Sequence, residues 1–161
     1  MVFPYIPYIR SKVGHDPIMA VGVGVVVIDE QNRILVEKRS DNGLYCLPGG
    51  ALDYGEKILD GAKRELYEET GIEIDNLVLL SLRSGPSSEL HYPNGDVTSY
   101  TNIDFYARVD SRKITLKTKD EESTWLGFLS KDELPKEDEW LPGTYATIQK
   151  FLDENFSVEV D

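Results

Sequence analysis

Cysteine is nearly absent from this chain: among 161 residues there is one, Cys46. That excludes an intrachain disulfide and makes the cytosol the expected compartment. No apolar run approaches the roughly 18 residues of a membrane span. The longest, Ile18 to Ile28 (IMAVGVGVVVI), is valine-rich and interrupted by Gly22 and Gly24, so it reads as a buried strand. The first residues, MVFPYIPYIRSKVGHDP, carry Pro4 and Pro7 and lack the apolar core of a secretory signal. Internal repeats, low-complexity linkers and an EF-hand pattern are all missing. Basic charge is also scarce: 17 Lys and Arg face 29 Asp and Glu, for a net charge of −12. Such a surface repels polyanions and argues against broad nucleic-acid binding. It does not exclude a small phosphorylated ligand, because metal ions can reverse a local field. The simplest effect of the charge is solubility.

What is present suits one globular domain, with 40% hydrophobic and 29% charged residues. Residues 1–17 read as an extended arm lying on a single domain, 18–161. Strands are expected at Ile18–Asp29 and Arg33–Lys38, separated by the polar turn 29–32. Leu44–Leu47 leads into a break at Pro48-Gly49-Gly50. Lys57–Thr70 reads as a helix ended by Gly71 in a left-handed conformation. Further strands are expected at Ile72–Arg83, Thr98–Val109 and Thr124–Leu129, with a long polar loop at Ser84–Val97 and a last helix around Tyr145–Leu152. This order implies a mixed sheet covered by helices on its faces, an α+β arrangement.

The helix at 57–70 poses a problem. At roughly 100° per residue, Ile58, Ala62, Leu66 and Leu59 form an apolar stripe, and Glu69 falls within it. Glu65, Glu68 and Glu69 stand together at i, i+3 and i+4, where like charges repel and partial burial raises the cost. Gly61 lies between Glu68 and Glu65, where a side chain would crowd them. Either arginine partners or divalent cations must compensate, and hard cations such as Mg²⁺ and Mn²⁺ favour carboxylate oxygens. Arg64 can reach one carboxylate, but a single guanidinium does not neutralise three.

The stretch from Gly50 to Ile72 resembles the Nudix box, G-x5-E-x7-R-E-U-x-E-E-x-G-U. Gly50, Glu56, Arg64, Glu65, Leu66, Glu68, Glu69, Gly71 and Ile72 fill every fixed position. The resemblance extends through the order of elements over about 18–152. It implies an α/β/α sandwich and a pyrophosphohydrolase that uses Mg²⁺ or Mn²⁺ and water to cleave a nucleoside diphosphate linked to another moiety. By the motif, Glu65, Glu68 and Glu69 would ligate metal, with the Gly49 carbonyl as a further ligand. Glu65 is alternatively the base. Arg64 would orient a carboxylate, and Glu56 would bind metal or support the box by a salt bridge. A later acid often completes such sites, and the run Lys119-Asp120-Glu121-Glu122 offers Glu122. Family habit points to a homodimer. An RNA 5′-end pyrophosphohydrolase and a non-catalytic nucleotide sensor are the alternative readings.

Substrate recognition must come from outside the box. Tyr45, Tyr92, Tyr100, Phe105 and Trp125 are candidates for stacking on a base, and Arg39 and Arg83 for phosphate. The loop Ser84–Val97, with His91, has the length of a lid. Among class markers, ADP-ribose hydrolases tend to carry a proline shortly after the box, and Pro86 lies 14 residues past Ile72. The tyrosine typical of diadenosine polyphosphate hydrolases is missing, since Ser88, Glu89 and Leu90 occupy those positions. There is no signature for coenzyme A.

Overall fold

The computed structural model describes residues 1–118 and 121–161. Its centre is β1 (Ile18–Ile28), which pairs in parallel with β7 (Val97–Arg108) along its whole length, from Ile18 opposite Thr98 to Ile28 opposite Arg108. The alternating side chains of β1 feed two separate cores. Val23, Val25 and Val27 pack with Ala62 and Leu66 of α2 (Ile58–Thr70) on one face. Val26 and Ile28 pack with Ile148 and Phe151 of α3 (Thr144–Leu152) on the other. A strand covered on both faces has no polar side, which explains the unbroken apolar run. The fold is an α/β/α sandwich around one mixed sheet, as the sequence implied.

The remaining strands are β2 (Ile34–Arg39), β3 (Tyr45–Cys46), β4 (Gly49–Ala51), β5 (Val78–Arg83), β6 (Glu89–His91), β8 (Ser123–Leu129) and β9 (Glu159–Val160). Their order is β3-β2-β1-β7-β5-β9, with β4 attached to β1, β6 to β7 and β8 to β2. The turn between β1 and β2 is built by buried Asp29. Its carboxylate accepts the backbone N–H of Gln31 at 3.0 Å and of Arg33 at 2.8 Å.

Several expectations need correction. The arm is not extended: Tyr5–Val13 forms helix α1. Pro7 is its third residue, where a missing N–H has no intrahelical acceptor to lose. The arm is tied down by Phe3, whose ring stacks on Tyr54 at 4.8 Å, and by Arg10, which donates to the Val97 carbonyl at 2.8 Å. Gly49-Gly50 is not a break but a strand, with Gly49 opposite Gly24 and Gly50 opposite Val23. A Cβ on Gly49 would fall on the Val23 carbonyl oxygen, so only glycine permits this approach. The strand expected from Ile72 begins at Val78. The loop 84–97 contains a 3₁₀ turn at Pro86–Ser88 and the strand β6.

The apolar stripe of α2 is also shifted. Ile58 and Leu59 are 42% and 47% exposed, whereas Gly61, Ala62, Leu66 and Thr70 are buried. The helix packs on β1 and on the three-residue β4, and its first turn extends past that support. A side chain at Gly61 would first strike Leu52 and Glu56. Gly71 does end the helix, in the left-handed region at φ 75°, with its N–H on the Tyr67 carbonyl at 2.8 Å. Chemical denaturation should therefore rank two variants. Leu66→Ala should cost about 2–5 kcal/mol, and Gly71→Ala about 1 kcal/mol.

Candidate active site

The C-terminal half of α2 holds the acids, and Arg64 organises most of them. Its Nε and Nη2 donate to Glu56 at 2.7 and 2.9 Å, and Nη2 also reaches the Ala51 carbonyl at 3.2 Å. Nη1 donates to Glu65 at 2.7 Å and to Glu68 at 3.3 Å. Arg64 thus ties the helix to the chain before it, and its guanidinium holds the Glu56 carboxyl below the usual range. Glu56 also accepts the Asp53 N–H at 3.0 Å. The Glu65 carboxylate lies on Gly50, where a Cβ would sit 2.6 Å from its carboxyl carbon. That contact is a physical reason for glycine at position 50. Glu68 is the most exposed of the three box acids.

Glu69 sits apart from this clamp. Its Oε2 accepts the backbone N–H of Gly49 at 2.8 Å. Burial pushes its carboxyl well above the ordinary range, and the nearby charges of Glu37, Glu65 and Glu122 push the same way against the Gly49 N–H. Glu69 opens into a cavity of about 280 Å³, also lined by Glu37, Arg39, Gly49, Gly50, Arg83, Tyr92 and Glu122.

Another part of the lining is fixed by Asp104 of β7, which is 4% exposed. Its Oδ2 accepts from Ser81 at 3.0 Å, Thr147 of α3 at 2.9 Å and Arg83 Nε at 2.8 Å. Arg83 also donates to the Gly143 carbonyl. Tyr92 and Tyr100 share a hydroxyl–hydroxyl hydrogen bond of 3.0 Å along this wall, beside Asn102. Arg39 grips Asp41 through two bonds of 2.9 and 2.6 Å.

Of the residues expected to meet substrate, Arg39, Arg83, Tyr92 and Tyr100 line the cavity, and Glu69, Glu122 and Gly49 do so from the acidic side. Tyr45 does not. Its ring packs 6.0 Å from that of Trp140 with Lys38 over it, because β3 turns it into the α3-side core. Phe105 is core on the α2 side, Trp125 is 39% exposed, and His91 pairs with Glu89 at the surface. Glu65 and Glu68 face the Arg64 clamp and are not among the cavity's lining residues. Lys119 and Asp120 lie outside the described residues. Sequence reasoning missed Glu37, Asn102 and Asp104. The available signal was a charged or amide side chain inside an otherwise apolar strand, as in ILVEKR and NIDFYAR.

Among the described residues no three acidic, histidine or cysteine side chains stand close enough to hold one ion as placed. The donor set at the acidic end nonetheless fits a hard cation: it is all carboxylate, and Glu37 Oε2 is buried without a hydrogen-bond partner. No helix among the described residues is long and apolar enough to cross a membrane.

The model of the NUDIX domain matches residues 19–151. The chain belongs to the NUDIX family. Over 59 residues it is 44% identical to a MutT-like protein of Streptomyces ambofaciens, covering 37% of this chain and 38% of that one. Over 80 residues it is 37% identical to an ADP-ribose pyrophosphatase of Methanocaldococcus jannaschii, covering 48% and 46%. The matches therefore span less than half the length of either relative. The NUDIX domain of Shewanella oneidensis NrtR, solved in complex with ADP ribose, superposes with a TM-score of 0.68 at 15% identity over 92% of this chain and 98% of that one. That likeness shows that the NUDIX fold is shared.

The raised carboxyls of Glu69 and Glu37 set a pH dependence for the metal-free protein. A native group that holds its proton more tightly than the unfolded chain stabilises most below the unfolded pKa, and the benefit is lost as pH rises through the native value. In chelator, stability should fall as pH climbs above the ordinary glutamate range, and Glu69→Gln should flatten the slope. Melting temperatures across that range with and without the substitution check this.

Proposed function

We propose that this chain is a divalent-metal-dependent pyrophosphohydrolase acting on a nucleoside diphosphate linked to another moiety. The observation that carries the reading is one cavity with carboxylates at one end, Glu69, Glu37 and Glu122, and the guanidiniums of Arg39 and Arg83 also on its lining. Glu65, Glu68 and Glu69, with Glu122, Glu56 and the Gly49 carbonyl in support, would hold Mg²⁺ or Mn²⁺. Bound metal supplies charge neutralisation of the diphosphate and an acidified water. Glu65, or another of the box carboxylates, would take the proton of the attacking water at its side-chain oxygen. Arg64 keeps Glu65 on Gly50 and Glu56 against the helix. Arg39 and Arg83 would bind phosphate oxygens, and Tyr92 and Tyr100 would offer a face to the base. In-line displacement of this kind needs positioning and charge more than covalent help. The net charge of −12 favours a small nucleotide over RNA, while the relatives divide between the two, with RNA pyrophosphohydrolases at 36% to 44% identity beside the ADP-ribose pyrophosphatase at 37%. The single thiol, Cys46, is buried and free, which accords with action in the cytoplasm.

Turnover on a panel of nucleoside triphosphates, ADP-ribose, nucleotide sugars, diadenosine polyphosphates and 5′-triphosphate RNA, with Mg²⁺ or Mn²⁺ and with chelator, tests the reading. Hydrolysis of a small nucleotide that needs metal and drops at least about 100-fold in Glu69→Gln is the expected result. Activity confined to the RNA would replace the substrate. Nucleotide binding without turnover would make the chain a sensor. A second variant tests the clamp. Arg64→Ala strands Glu56, whose side chain is 8% exposed, and should lower stability by about 1–3 kcal/mol as well as activity. Denaturation and kinetics on the same sample measure both.

A further inference from the structure

The described residues contain three acidic side chains classed as buried: Asp29, Glu37 and Asp104. Two are saturated. Asp29 takes two backbone N–H groups and Arg33, and Asp104 takes Ser81, Arg83 and Thr147. Glu37 is the exception. It is 3% exposed, in the middle of β2, and its Oε2 meets no hydrogen-bond donor. Ser123 of the neighbouring β8 is buried beside it, and its hydroxyl eases the Glu37 charge without reaching full hydrogen-bond geometry. Arg39, two residues along the strand, eases the Glu37 charge from a distance but directs its hydrogen bonds to Asp41. In the sheet, Glu37 lies opposite Cys46 on one side and Leu126 on the other, and neither supplies a cation. A buried carboxylate oxygen with no donor is unfavourable: in the metal-free chain burial favours its protonated form, and a bound cation would take that proton's place.

The position of that oxygen identifies the class of ligand. Glu37 lines the same cavity as Glu69, its charge pushes the Glu69 carboxyl up, and the two carboxyl groups lie within reach of each other. They come from opposite supports, a strand and a helix. Glu69 has one N–H contact, from Gly49. A hard divalent cation satisfies two facing carboxylates at once and needs only oxygen donors. We propose that Glu37 is a cation ligand, which with Glu69 holds a divalent ion on the β2 side of the cavity, off the Arg64-clamped face of α2. The proposal rests on the metal-dependent reading above. It assigns to the strand a carboxylate that the helix motif does not contain, and it places the ion between the box and the wall that carries Arg39.

Mn²⁺ binding to the full chain, followed by calorimetry and by the shift in melting temperature on adding Mn²⁺, tests this without reference to turnover. Glu37→Gln keeps the shape and removes the charge. The variant should melt at or above the wild-type temperature in chelator. It should bind Mn²⁺ at least about tenfold more weakly, or lose one equivalent, with a smaller Mn²⁺-induced shift. Glu37→Asp keeps the charge but withdraws it by one methylene. It should also bind at least about tenfold more weakly, and it gives the same reading if the glutamine variant does not fold. Wild-type affinity, stoichiometry and thermal shift in either folded variant would overturn the assignment while leaving the hydrolase reading intact. Absence of Mn²⁺ binding by the wild-type chain would overturn both.

Discussion

The close approach of two glycine backbones underlies the rest of the site. Gly49 lies opposite Gly24 in the sheet at a distance that admits no side chain, because any Cβ would meet the Val23 carbonyl. That contact seats β4 against β1, and β4 in turn sets where α2 can lie. Gly50 leaves room for the Glu65 carboxylate, and the Gly49 N–H meets Glu69. Three consequences of one strand of three residues therefore converge on the acidic edge of the helix: its height above the sheet, its rotation, and a donor for its most buried carboxylate.

Charge is distributed with a clear division of labour. Arg64 gathers Glu56, Glu65 and Glu68 on the outer side of α2, with Asp53 at its edge, and so makes the helix's own repulsion a source of attachment. On the inner side, Glu37 Oε2 has no hydrogen-bond donor and Glu69 accepts the Gly49 N–H. Arg83 is held by Asp104 and the Gly143 carbonyl. The guanidiniums of Arg64 and Arg83 thus hold the scaffold acids Glu56 and Asp104, while Glu69 is met by a backbone N–H. An acidic protein can accept a diphosphate on these terms, since the ligand and its counter-ions arrive together.

How much of this was legible in the chain depended on whether the deciding contact was local. Helix α2 and its end were readable because Gly71 and the fixed spacing of the acids are sequence-local signals. Strand β1 was readable because burial on both faces leaves an unbroken apolar run. The exposed Ile58 and Leu59 were not, because their burial depends on whether a strand lies beneath the first turn. Nor was α1, since Pro7 reads as a breaker unless its position within the first turn is known. Glu37 and Asp104 looked like ordinary polar residues on strands. What distinguishes them is what stands opposite, and Thr147 is 43 residues away from Asp104. Tyr45 and Tyr92 look alike as aromatic candidates, yet the sheet turns one into the core and the other into the cavity.

The bonds of Asp104 also bear on the order in which the molecule comes into being. A chain emerging from the ribosome exposes the box, β1 and β4 well before α3, so the acidic edge can be assembled while the wall around Asp104 is still incomplete. Asp104 and Arg83 acquire their full set of partners only when Thr147 and Gly143 arrive. Before then the carboxylate has Ser81 and the Arg83 guanidinium as its partners, in water. Completion of this wall of the cavity is thus a late event of synthesis, tied to the docking of the last helix.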